Sequence, residues 1–137
     1  MEAEAWEPAR MVLAPIVASA PRLGTVTGAW GVIAARKGDV ATARQALAAL
    51  DSTARSTFSR GRSTMWQARI AAALGDHDGA LSLVRRALAE GYPVMQGFPA
   101  LPGAPHMFDY AEPSVHADPA LASLHRHPEF VRLLTPR

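Results

Sequence analysis

Trp66-Gln67-Ala68-Arg69-Ile70-Ala71-Ala72-Ala73-Leu74-Gly75-Asp76-His77-Asp78-Gly79-Ala80 repeats an earlier stretch, Trp30-Gly31-Val32-Ile33-Ala34-Ala35-Arg36-Lys37-Gly38-Asp39-Val40-Ala41-Thr42-Ala43. The tryptophans stand 36 residues apart, whereas Ile-Ala-Ala, Gly-Asp and the following Ala match at 37, which one extra residue in the second copy explains. Each copy has a physical reading. Trp and Ile begin an apolar stripe on a first helix, Gly lets the backbone turn, and Asp caps a second helix. After Asp76, the residues Ala80, Leu81, Leu83, Val84, Ala87 and Leu88 fall on one helical face, opposite Arg85, Arg86 and Glu90. Gly91 then ends that helix as a residue just past a C-cap does. Val40, Ala43, Ala46, Leu47 and Leu50 do the same in the first copy. Two helix pairs follow, over 24–52 and 63–91.

Working outward, residues 8–20 read as an N-terminal helix, with Pro8 in its first turn, Pro15 kinking or ending it and Pro21 closing the segment. Asp51 to Ser63 is a polar connection, and Ser63 is placed to cap the helix that carries Trp66. Past Gly91 the composition changes. Pro93, Pro99, Pro102, Pro105 and Pro113, with Gly97 and Gly103, predict an irregular loop over 92–116. Its Met95, Phe98, Met107, Phe108 and Tyr110 are expected to pin it across the helices. Two short helices are expected over 117–134. Asp118-Pro119 starts the first, which carries Leu121 and Leu124; His127-Pro128-Glu129 starts the second, with Phe130, Val131, Leu133 and Leu134 as its apolar side. The expected core holds Trp30, Ile33, Leu47, Trp66, Ile70, Leu74, Val84 and Leu88.

The bulk properties fit one all-α domain over 1–137. The chain has 137 residues, 49% hydrophobic and 19% charged, which suits a globular fold with a modest core. Thirteen of its fourteen basic residues are arginine, so the pI of about 9.7 coexists with a net charge of only +2. That charge makes no case for nucleic-acid binding. Cysteine is absent, which removes disulfides, thiolate metal sites and a cysteine nucleophile. The first residues are acidic where a signal peptide is basic, and the apolar run Met11 to Ala20 is too short to span a bilayer. A cytoplasmic chain without membrane contact is expected.

The stretch Trp66 to Ala87, with its Gly75-Asp76 turn and Leu83-Val84 and Arg86-Ala87 following, resembles a tetratricopeptide repeat. It is similar to the last repeats of bacterial multidomain regulators, adenylate cyclases and serine/threonine kinases, which often end in a segment like Ala117 to Leu134. The resemblance covers 24–134 and implies a right-handed stack of antiparallel helix pairs. The chain departs from the family in three ways. Its period exceeds the usual ~34 residues, alanine (Ala35, Ala72) stands where an aromatic is expected, and the proline-rich insert is longer. Two repeats are fewer than a free-standing array needs. Either the flanking helices cap them, or the chain is the end of a longer protein.

No nucleophile elbow, phosphate loop or dinucleotide-binding glycine pattern occurs, so no catalytic site, cofactor or metal is assigned. Of the five histidines, His125 and His127 lie two apart and point in different directions; His77, His106 and His116 read as surface groups. Arg55, Arg60, Arg62 and Arg69 form a basic cluster without interleaved aromatics, unlike a nucleic-acid platform. The leading expectation is a protein-interaction or scaffolding module. In paired-helix repeats the first helices line a concave groove, and the resemblance places Thr25, Val32 and Arg36 of one copy there, with Arg62, Met65 and Arg69 of the other. Arginine forks suit a peptide carboxylate, and methionine supplies an adaptable apolar contact. The expected partner is a protein or peptide, including a domain of the same parent chain. The alternative expectation is a small-molecule pocket or hydrolase-like site under the proline-rich loop, near His106 and Asp109.

Overall fold

Gly38 and Gly75 adopt left-handed φ values of 79° and 84°, which glycine alone reaches without strain. Each closes a helix in the same way. The Gly38 and Gly75 amides donate to the Ala35 and Ala72 carbonyls at 3.1 Å, and the Asp39 and Asp76 amides donate to Ala34 and Ala71 at 2.9 and 3.0 Å. The two aspartates then cap the next helix, their carboxylates accepting from the Thr42 amide at 3.1 Å and the Gly79 amide at 2.9 Å.

A computed structural model describes residues 3–19, 24–55, 60–93 and 114–135. Helices α1 (Ala3–Ser19), α2 (Gly24–Arg36), α3 (Val40–Ala54), α4 (Arg62–Ala73), α5 (His77–Ala89) and α6 (Pro128–Leu134) run in chain order. A 3-10 turn, Val115–Ala117, and a 3-10 helix, Pro119–Leu124, precede α6. All regular structure among the described residues is helical. No described helix is long and apolar enough to cross a membrane. The expected loop residues 94–113, with His106, Asp109 and the aromatics between them, lie outside the described residues.

Hairpin α2–α3 packs on hairpin α4–α5 through α2 against α4 and α3 against α4, while α1 rests on α2. Two glycines bring α2 and α4 together. A Cβ on Gly28 would lie 2.3 Å from the Trp66 ring, and one on Gly31 would lie 2.8 Å from the Ala46 Cβ and 2.4 Å from Ile70 Cδ1. Contacts running from Gly24 beside Ser63 to Gly31 beside Ile70 make the two helices parallel. Val32, Ala34, Ala35, Ala43, Ala46 and Leu50 form one core with Ile70; a second joins α4 and α5 to the C-terminal segment.

Much of the burial pattern superposes at an offset of 37, best in the first helices. The pairs Gly28/Met65, Gly31/Ala68, Val32/Arg69, Ile33/Ile70, Ala43/Ala80 and Leu50/Ala87 are all buried. Both first helices are continuous α-helix, so the expected extra residue is absent. The tryptophans instead stand one position apart in the shared frame, about 100° around the helix. Of the expected core, Ile33, Ile70 and Val84 are buried; Trp30, Leu47, Trp66, Leu74 and Leu88 are only partly covered. These last five sit at the margins, where one side of each faces out.

Three further expectations are corrected. Pro15 does not end α1, which starts at Ala3 and passes through both Pro8 and Pro15. Pro8, Met11, Val12, Pro15 and Ile16 form the exposed face, where water can reach the carbonyl that Pro15 leaves without an amide donor. The Pro119 segment is a 3-10 rather than an α-helix. Val131, expected on the apolar side of α6, is exposed, and Phe130 and Leu134 carry the packing.

Helix propensity predicts that Gly31→Ala stabilises α2 by ~1 kcal/mol, but the contacts with Ile70 of the other hairpin and with Ala46 of its own predict overpacking of ~1–3 kcal/mol. The second effect should win. A lower midpoint in urea unfolding is expected, and a raised one would show that the hairpins do not meet at Gly31.

Candidate functional site

Arg69 is the largest fully buried side chain, 2% exposed. It lies on the α4 face where the shared frame puts Val32 in the first hairpin, so a guanidinium occupies a position built for an apolar group. Burial of an unpaired charge costs several kcal/mol, and the surroundings answer two nitrogens of the fork. Arg69 Nε donates to Asp118 Oδ2 at 2.6 Å, and Nη2 donates to the Tyr92 hydroxyl at 3.2 Å. The Trp66 ring, one turn away on α4, lies under the guanidinium carbon at 4.3 Å.

Each partner is positioned by local structure. Tyr92 follows the third Gly turn of the chain, with Gly91 at φ 97° and the Tyr92 amide donating to Ala87 at 2.9 Å. Gly61, at the start of α4, packs so closely on that turn that an added Cβ would lie 2.3 Å from the Ala87 carbonyl oxygen. Asp118 is also 2% exposed and uses its two oxygens separately. Oδ2 meets Arg69, and Oδ1 accepts from the Ala120 amide at 2.9 Å, capping the 3-10 helix. Nearby, Arg36 Nη2 donates to the Pro119 carbonyl at 3.1 Å.

Of the residues predicted to line a groove, the structure brings Arg36 and Arg69 together on the 118–119 backbone and carboxylate. Val32 and Met65 are buried in the cores, and Thr25 and Arg62 are exposed at the starts of α2 and α4. The basic cluster is dispersed: Arg55 pairs with Asp51 at 3.0 Å on α3, Arg60 and Arg62 are exposed, and Arg69 is internal. Asp118 and Tyr92 are the residues that reading the sequence missed. The available signal was the apolar character of Val32, read instead as a groove residue; with Val32 buried, the equivalent Arg69 is a buried charge in need of a carboxylate.

Two clefts with polar linings lie elsewhere. A cleft between α1 and the first hairpin, lined by Arg10, Trp30, Lys37 and Asp39, holds about 30 Å³, room for a water or two. Lys37 pairs with Glu7 across it. The Asp39 carboxyl there is held below the usual carboxylate range, chiefly by hydrogen bonds from the Thr42 side chain and amide, with a smaller contribution from Arg10. The second is a cleft of about 160 Å³ lined by His116, His125, Phe130 and Leu134. Among the described residues no cluster of three metal-ligating side chains occurs, and His127 is engaged as the cap of α6, accepting from the Glu129 amide at 3.3 Å.

If Arg69 and Asp118 are mutually dependent, Arg69→Met leaves a buried carboxylate unpaired and costs ~3–5 kcal/mol. Adding Asp118→Leu should restore most of that loss, apart from the ~1 kcal/mol of the lost cap. Urea unfolding of the two singles and the double measures the coupling; additive losses would refute it. Comparison with protein-family models, curated proteins and solved structures finds no match to this chain, so the functional reading rests on the geometry above.

Proposed function

We propose that the chain is a protein-interaction and scaffolding module of tetratricopeptide-like type. In this reading its helix pairs stack with a right-handed twist, and the first helices, α2 and α4, form a cradle for a short polypeptide segment. The observation that carries it is the grip on Asp118-Pro119. Arg69 holds the carboxylate and Arg36 the neighbouring carbonyl, which is how a groove of this kind holds a peptide. Here the held segment belongs to the same chain. Thr25 and Arg62, exposed at the starts of the parallel first helices, offer polar contacts to a further segment. The setting that suits such a module is the terminal part of a larger cytoplasmic regulatory or signalling protein of bacterial type. Its partner is a protein, a peptide or another domain of the parent chain, with no role for nucleic acid, membrane or cofactor.

Charge reversal tests the cradle. The double variant Arg36→Glu/Arg62→Glu should recover at least tenfold less of any partner in quantitative affinity capture than the wild type does. Arg44→Glu, on the exposed face of α3, should leave recovery unchanged. Equal recovery by both variants removes the first helices from the interaction.

A further inference from the structure

The C-terminal segment meets the hairpins as a bound peptide meets a receptor. Its main-chain hydrogen bonds are internal: Ala117 to Ser114, Leu121 to Asp118, His125 to Ala122, His127 to Leu124 and Val131 to His127. Among the described residues none joins the segment's backbone to the hairpins'. The contact is made by side chains, with an apolar centre, one buried charge pair and a polar rim, where Arg85 of α5 pairs with Glu129. That is the anatomy of a protein–protein interface.

The segment also has a period of its own. Val115, Asp118, Leu121 and Leu124 are spaced by three, and all four are at most 2% exposed. A 3-10 helix has three residues per turn, so Leu121 and Leu124 eclipse within one 3-10 helix; Val115, in the preceding 3-10 turn, and the extended Asp118 continue the buried spacing. The flanking Ala117, Pro119, Ala122 and Ser123 are exposed. Asp118 phases the line by capping the helix with one oxygen while it presents the other to Arg69. The buried face therefore reads Val-x-x-Asp-x-x-Leu-x-x-Leu.

Resting on the interaction reading above, we infer that the surface of α4 and α5 around Arg69 is a receptor for segments of this chemistry. They carry an aspartate capping a 3-10 helix and apolar side chains at every third position, and residues 114–135 are the copy held in cis. A protein segment bearing the same pattern competes for the site in trans. The tether raises the local concentration of the cis copy, so the intact chain resists exchange.

The test cuts the tether and leaves every residue present. A specific protease site is placed within 94–113, the full chain is folded and cleaved, and fluorescent peptide 114–135 is titrated in while circular dichroism follows the helices. The inference expects saturable exchange into the cut protein and at least tenfold weaker uptake by the uncut chain. The peptide with Asp118→Asn should bind about a hundredfold more weakly, since it leaves Arg69 buried without its anion. Exchange with no preference for aspartate over asparagine overturns the proposed pattern while leaving a peptide-holding cradle standing. If the hairpins stay folded but no peptide exchanges, or if they unfold on cleavage, residues 114–135 are fixed core and the receptor falls with the pattern.

Discussion

The structure turns on one buried cation. Arg69 cannot leave the interior, because it projects from the α4 face that packs against α5 and the C-terminal segment, and it cannot lose its charge, because a guanidinium stays protonated. Its anion must therefore come to it, from a residue 49 positions later in the chain. That requirement places the whole C-terminal segment. Once Asp118 Oδ2 is on Arg69, its Oδ1 sets where the 3-10 helix begins, and the start sets the phase of Leu121 and Leu124. Apolar burial supplies most of the attraction, but the ion pair supplies the register.

Small residues make the remainder possible. Gly28 and Gly31 let α4 approach α2 to distances that a methyl group would block, and the alanines of both hairpins continue the same thin interface. Helices packed this closely gain contact area without large side chains. This is why a core rich in alanine, with its tryptophans only partly covered, holds two hairpins together. The Gly-Asp turns contribute the second half of the arrangement: identical closures at Gly38 and Gly75 bring each second helix back at the same place on its first helix.

The hairpins and their caps are legible in the sequence because they depend on local chemistry. A glycine at positive φ followed by an aspartate cap leaves the same trace wherever it occurs, and the Asp118-Pro119 and His127-Pro128 starts are read for the same reason. What stays hidden is long-range. Asp118 already has a sufficient local explanation as a cap, so nothing in its neighbourhood announces that its other oxygen is spoken for. Arg69 reads as a groove residue because Val32, its equivalent 37 positions earlier, is read the same way. The structure buries Val32, and Arg69 becomes a burial problem. Pro15 misleads in the opposite sense, since its helix-breaking tendency is conditional on burial and α1 turns that face outward.

The difference between the two copies then acquires a physical meaning. Two similar hairpins offer similar apolar faces, but α4 already covers the face of the first, burying Val32 in one core with Ile70, so the face around Arg69 is the one the segment covers. At the first hairpin the equivalent position is Val32, which shares an apolar core with Ile70 of α4. At the second it is Arg69, which meets Asp118, Tyr92 and the Trp66 ring. A buried ion pair contributes little to stability compared with the apolar pair it displaces, but it fixes which residue of the segment lies over the second hairpin. Arg69 is thus better explained by where the segment must go than by how tightly the fold is held.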